Sequence, residues 1–238
     1  MIPLQTPPAA TPPAVTAPAP AERELAFPGF NAYPLKASVR TASDPAKTAG
    51  WFAVMVAGPG PMDRDWSTPL LPIPSHGGRD LAAWLAAQGV GSLRYDKRLI
   101  GARDPKLDTS LDAQVGDLKA ALAAARALPE AKGRKLLLVG FDEGALLSLL
   151  AAGDADALLL IGLPPEPLGA LIEDQVARQL DGAPEGVRKA NLDYLRATLD
   201  ALRRGEAAPT AGDQVFPALA RLGQSLMAPE TLAFVRGT

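Results

Sequence analysis

The segment Gly140-Phe141-Asp142-Glu143-Gly144 places an acidic side chain on a short turn between an apolar run and a helix-forming run. The first N–H groups of a helix have no partner within the helix, and the helix dipole adds positive charge there. A carboxylate at Asp142 could therefore act as a nucleophile or bind a ligand. Because aspartate also tolerates unusual backbone angles, Asp142 could instead be the turn residue of a degenerate site.

The histidine and cysteine counts restrict the other chemistry that the chain could perform. The sequence contains one histidine, His76, and no cysteine. Thiolate catalysis, disulfides and cysteine metal sites are therefore excluded. Histidine is the usual general base and the commonest metal ligand, and with a single histidine we predict no metal site. We also predict no cofactor. His76 precedes the first predicted crossover helix, and we predict a loop or capping residue rather than a relocated base.

Composition excludes some partners but leaves the cellular compartment open. The 24 basic and 26 acidic residues give a net charge of −2, which does not indicate nucleic-acid binding. No apolar run reaches the roughly 18–20 residues that a membrane-spanning helix needs. Residues 1–22 are rich in proline and alanine, which predicts a disordered tail. This tail fits either a cytoplasmic protein or an exported protein with a proline-rich tether.

Apolar runs alternate with helical patterns between residues 23 and 165, which we predict to form the core. Continuous apolar runs are typical of strands that are buried on both faces of a parallel sheet. The predicted strands are 24–27, 35–41, 51–57, 90–95, 135–139 and 157–162, and the predicted helices are 79–88, 111–128 and 145–152. This alternation predicts an α/β fold with a mainly parallel sheet and helices on both faces.

The pattern changes after Pro164-Pro165, where no further strand is predicted. Amphipathic spacing of leucine, isoleucine and valine instead predicts three or four helices. Their predicted bounds are about 167–181, 185–204, 212–226 and 229–235. We predict that residues 166–238 form a helical cap over the core.

Three stretches, in this order, carry a resemblance to a known family. They are Ala57-Gly58-Pro59-Gly60-Pro61-Met62-Asp63-Arg64-Asp65, Arg94-Tyr95-Asp96-Lys97-Arg98 and Gly140-Phe141-Asp142-Glu143-Gly144. They resemble the motifs G-S-G-P-x-D-R-D, R-Y-D-K-R-G and G-H-S-E-G of bacterial esterases in the serine-aminopeptidase-like (S33-type) group of α/β-hydrolases. The last motif is a form of the nucleophile elbow, G-x-S-x-G. The resemblance implies an α/β-hydrolase core that carries a cap.

The same resemblance implies an incomplete catalytic site. The elbow serine of the family corresponds to Asp142. The two oxyanion-hole donors of the family correspond to the N–H groups of Glu143 and Pro59, and proline has no N–H. The family's histidine and its acidic partner follow the cap and the last strands, and this sequence has no histidine after His76. We therefore expect the C-terminal strands of the family's sheet to be missing.

We also expect a pocket rim around the elbow. The expected rim residues are Gly58, Gly60, Asp63, Arg64 and Phe141. The segment Asp63-Arg64-Asp65 could instead be a structural loop of ion pairs that anchors the end of a strand. Asp96, Lys97 and Arg98 are expected to form a similar network near the same edge of the sheet.

If no strand follows it in the sheet, the strand at 157–162 becomes an edge strand. A long apolar edge is a site for pairing or aggregation. The cap could cover it, two copies could pair there as a homodimer, or a separate chain could supply the missing strands together with the acid and the histidine.

Two functions follow from these observations. The first is a catalytically impaired pseudo-hydrolase that binds a small ester or acyl ligand, or a protein partner. The alternative is an active carboxylic-ester hydrolase that uses Asp142 or completes its site from another chain. A third, less favoured, hypothesis is a broken gene product with no selected role.

Overall fold

The computed structural model describes most of the chain. The described residues are 22–44, 47, 49–69, 72–100, 106–163 and 165–227. The predicted tail, apart from Glu22, and the predicted helix near 229–235 lie outside these residues.

Six strands form one sheet in the described part of the chain. They are β1 (Glu22–Pro28), β2 (Pro34–Arg40), β3 (Trp51–Val56), β4 (Gly91–Tyr95), β5 (Lys135–Phe141) and β6 (Ala157–Ile161). Their order across the sheet is β1-β2-β4-β3-β5-β6. The pairs β1–β2 and β2–β4 are antiparallel, and the pairs from β4 to β6 are parallel. The predicted α/β class with a mainly parallel sheet is confirmed.

Six α-helices accompany the sheet in these residues. They are α1 (Gly77–Ala87), α2 (Leu111–Ala127), α3 (Glu143–Leu150), α4 (Leu168–Gln179), α5 (Glu185–Arg204) and α6 (Pro217–Leu226). Single 3-10 turns occupy Phe30–Ala32, Pro129–Ala131 and Ala152–Asp154. None of the helices in the described segments is both long enough and apolar enough to cross a bilayer.

The two faces of the sheet are covered by different helices. Ala82 and Leu85 of α1 pack with Ala53 and Met55 of β3 on one face. On the other face, residues of α2 and α3 pack with the alternate side chains of β3, such as Val54. Because β3 is covered on both sides, its run of apolar residues is buried throughout its second to sixth positions.

The last strand of the sheet, β6, is less buried than its sequence predicts. Within the described residues it pairs only with β5 and lies at one edge of the sheet. Its residues are half-buried or exposed, and Leu159 is 41% exposed. The expectation of an edge strand therefore agrees with this structure, whereas the expectation of a strand buried on both faces is wrong.

The helices α4 to α6 pack together around a separate apolar cluster. Leu195, Leu199 and Leu202 of α5 are buried there with Leu219 of α6. The last of these helices begins at residue 217 rather than at the predicted residue 212. Pro217 accounts for this difference, because a proline keeps the preceding residue out of the helical conformation but suits the first helical position.

Candidate active site at the end of β5

The turn between β5 and α3 has the geometry of an elbow. Asp142 lies directly between the two elements, with φ 53° and ψ −117°. Its backbone N–H donates to the carbonyl of Ile161 in β6, at 2.8 Å. Asp142 occupies the N-cap position of α3, but its side chain makes no capping hydrogen bond. The half-buried carboxylate is therefore left available at the carboxyl end of the parallel strands.

Two glycines allow this turn to pack closely against its neighbours. A Cβ atom on Gly144 would lie 2.5 Å from the carbonyl oxygens of Val56 and Ala57, and one on Gly140 would lie 2.3 Å from the carbonyl oxygen of Gly144. Such distances exclude any side chain. The spacing G-x-x-x-G therefore has a steric cause in this structure.

Phe141 joins the elbow to the loop that follows β3. Its ring stacks on that of Trp66, with the centroids 5.3 Å apart and the planes at 16°. A Cβ atom on Gly58 would lie 3.0 Å from the Phe141 ring, so this glycine lets the loop approach closely. Trp66 is 8% exposed and was not among the predicted site residues. No sequence motif marked it, because the contact joins segments that are far apart in the chain.

Lys97 is a second residue that the sequence analysis did not assign to the site. Its ammonium group donates to the carbonyl of Gly58 at 2.9 Å and pairs with the carboxylate of Glu143. The Lys97 side chain is 4% exposed. Burial lowers the pKa of Lys97, and the carboxylates of Glu143 and Asp142 oppose this shift. A buried cation therefore lies beneath the elbow.

Two further predicted rim residues, Asp63 and Arg64, hold the loop after β3 in place. One carboxylate oxygen of Asp63 accepts hydrogen bonds from the backbone N–H groups of Asp65 and Ser67, both at 2.9 Å. Arg64 makes a two-pronged ion pair with Asp96, at 3.0 and 2.8 Å. The hydrogen bonds that Arg64 donates to the carboxylates of Asp96 and Glu24 raise the pKa of Arg64 above its ordinary value. These contacts are those expected of a structural loop.

The residues after β4 do not form one network, because their side chains have separate partners. Asp96 pairs with Arg64, and Lys97 pairs with Glu143. Arg98 instead makes a buried two-pronged ion pair with Asp117 of α2, at 2.7 and 2.6 Å. Each of the three residues thus ties the end of β4 to a different part of the fold.

Two other positions that the sequence analysis weighed for catalysis are Pro59 and His76. Pro59 is exposed and has no N–H to offer. His76 occupies the N-cap position of α1 with φ 55°, but its side chain makes no capping bond. None of the hydrogen bonds recorded among the described residues joins His76 to Asp142. The described residues also contain no cluster of three or more side chains suited to hold a metal ion.

No known family model matches the chain. Polyketide transferase af380 of Aspergillus fumigatus is 35% identical over 111 residues, which cover 44% of this chain and 36% of that protein. Polyketide transferase ATR5 of Stachybotrys chlorohalonatus is 35% identical over 89 residues, which cover 36% of this chain and 30% of that protein. This chain therefore spans about a third of the length of the curated relatives that it matches.

Among solved structures, an esterase from Pyrococcus furiosus is similar with a TM-score of 0.51. The match covers 77% of this chain and 64% of the esterase, at 16% sequence identity. At this identity the likeness concerns the fold alone. The strand order, the turn at Asp142 and this likeness together show that the chain has the fold of the α/β-hydrolase superfamily.

Proposed function

We propose that the chain binds a small ester or other acyl compound beside the elbow and is catalytically impaired. The observation that carries this proposal is the backbone of Asp142, which keeps a strained conformation although no serine is present. A residue held in a sparsely populated conformation costs about 1–3 kcal/mol and persists where the surrounding structure enforces it. Retention of this strain supports a ligand-facing role for the turn.

The impairment follows from the groups around Asp142. Loss of one oxyanion donor, here through Pro59, costs about 10²–10³ in rate in enzymes that have such a donor. An acyl group transferred to a carboxylate would also need a base to activate water for its release. His76 makes no hydrogen bond to Asp142 among the described residues, which supports the lack of such a base.

The similar proteins support the ligand class. One is named as an esterase and two as polyketide transferases. An ester or a polyketide-like acyl compound is therefore the first ligand class to test.

We also propose that α4 to α6 form the predicted cap. These helices contain an apolar cavity of about 210 Å³, lined by Val176, Leu180 and Phe216 among others, and none of the elbow residues lines it.

A second candidate function is ester hydrolysis with Asp142 as the nucleophile, or with a site completed by another chain. The elbow geometry favours it, because this turn presents the Asp142 side chain in the manner of a nucleophile. We propose that another chain would complete the catalytic site by pairing with the edge strand β6, either in a homodimer or as a separate complementing chain. Size-exclusion chromatography of the purified protein across a concentration series tests the homodimer, which predicts an earlier elution as the concentration rises.

Hydrolysis of p-nitrophenyl butyrate separates the two functions. The wild type, Asp142→Ala and Asp142→Ser are compared, with Asp193→Ala on the exposed face of α5 as a matched control. We expect no turnover above background in the wild type. Turnover that disappears in Asp142→Ala but persists in Asp193→Ala would contradict the impaired-enzyme proposal and support hydrolysis by Asp142.

A further inference from the structure

Lys97 follows β4 directly, yet its ammonium group contacts residues that follow β3 and β5. Because β3 lies between β4 and β5 in the sheet, the side chain passes over the end of β3. It donates to the carbonyl of Gly58 at 2.9 Å and pairs with Glu143 at the start of α3. These contacts join three strand ends at the edge of the sheet that carries the elbow.

A buried ion pair of this kind is in general not required for stability. Taking an ammonium and a carboxylate out of water is costly, and apolar residues of similar volume often replace a buried ion pair without loss of stability. The Lys97 and Glu143 side chains are only 4% and 14% exposed. An ion pair in such a position has its clearest use in holding backbone groups at a fixed geometry, and Lys97 holds the carbonyl of Gly58.

We propose that Lys97 is a positioning residue of the elbow site, which fixes the loop from Gly58 to Met62 relative to Asp142. This inference rests on the proposed function, because the loop and the elbow form the two sides of the proposed ligand site. The backbone N–H of Lys97 also donates to the carbonyl of Met62 at 3.3 Å. The loop is thus attached to the end of β4 at both of its ends.

The same arrangement sets the charge that a ligand meets. One ammonium group and two carboxylates lie at the elbow, and Glu143 takes up the charge of Lys97. Asp142 forms no ion pair in the part of the chain that the structure describes, although Lys97 lies close enough to act on it electrostatically, so the two carboxylates outnumber the one ammonium group. The site therefore favours neutral acyl compounds over carboxylates, because a like charge nearby is repulsive.

The test compares the wild type, Lys97→Met, the double variant Lys97→Met/Glu143→Met and the surface control Lys189→Met. Ethyl butyrate and sodium butyrate are titrated by NMR, and hydrogen exchange is followed at the amides of Gly60 and Met62. We expect Lys97→Met to lower the unfolding midpoint, because it leaves Glu143 buried and unpaired. We expect the double variant to recover the wild-type midpoint, because no buried charge is left unpaired. It should bind ethyl butyrate about tenfold more weakly, which corresponds to the loss of the one charge-assisted hydrogen bond from Lys97 to Gly58.

In the same double variant, the two loop amides exchange about tenfold faster, while those of α1 are unchanged. Unchanged exchange in the loop would overturn the positioning role, and so would failure of the double variant to fold. If the wild type binds neither compound, the proposed function fails, and the exchange measurement alone still decides the role of Lys97. Tighter binding of butyrate than of ethyl butyrate would overturn the charge preference.

Discussion

Replacing Asp142 by glycine and by alanine measures the strain that the elbow stores. The observed φ of 53° with ψ of −117° lies outside the left-handed helical region that aspartate tolerates. It is the mirror image of extended backbone, which glycine alone adopts readily. Both variants remove a carboxylate that makes no capping bond, so their difference in stability isolates the backbone.

The size of this difference follows from two opposing effects. Relief of strain favours glycine by about 1–3 kcal/mol. The greater freedom of glycine in the unfolded chain disfavours it by about 0.4–1 kcal/mol. We therefore expect Asp142→Gly to be more stable than Asp142→Ala by about 1 kcal/mol, which raises the melting temperature by about 2–4 °C in a domain of this size.

Thermal unfolding followed by circular dichroism provides the measurement. The matched control is Lys189 on the exposed surface of α5, where the backbone is helical. At this position, the Lys189→Ala variant is expected to be more stable than the Lys189→Gly variant by about 1 kcal/mol, which is the reverse of the order expected at position 142. If alanine were also the more stable variant at position 142, the argument from backbone strain would be refuted, and with it the main support for the proposed function.

Three further changes test the fold around the site. Asp117→Ala leaves the buried guanidinium of Arg98 unpaired, so urea denaturation should show a loss of about 3–5 kcal/mol, and a loss below about 1 kcal/mol would contradict this. Gly144→Ala places a methyl group 2.5 Å from two carbonyl oxygens, so its melting temperature should fall, whereas Gly153→Ala, with open space around it, should melt like the wild type. Burial raises the pKa of Tyr95, so the unfolded chain releases its phenolic proton near pH 10 while the folded chain retains it. Stability should therefore fall as the pH rises above 10, and Tyr95→Phe should weaken this fall when unfolding midpoints are measured from pH 8 to 11.

Much of the fold was predictable because its signals are local. The apolar runs that became β3, β4 and β5 lie next to glycine-rich turns, and the pattern of α2 repeats at helical spacing. The elbow was predictable for the same reason, since strand, G-x-x-x-G and helix follow one another directly in the chain. Pro217 was also a local signal for the late start of α6, but the predicted start relied on the amphipathic pattern alone.

The contacts that build the candidate site were not predictable in the same way. Lys97 and Glu143 are 46 residues apart, and their pairing depends on β3 lying between β4 and β5. The stack of Trp66 on Phe141 likewise depends on where the loop after β3 folds back. A single sequence carries no signal for such pairings, because each is decided by the order of strands in the sheet.

The stack of Trp66 on Phe141 gives the site an intrinsic optical reporter. Phe141 precedes Asp142 directly, so a compound that shifts the elbow also changes the surroundings of the Trp66 indole. The chain has two other tryptophans: Trp84 is 61% exposed, and Trp51 lies at the opposite end of β3 from the elbow. With those two replaced by phenylalanine, the fluorescence of the remaining indole would follow ligand entry without an added dye.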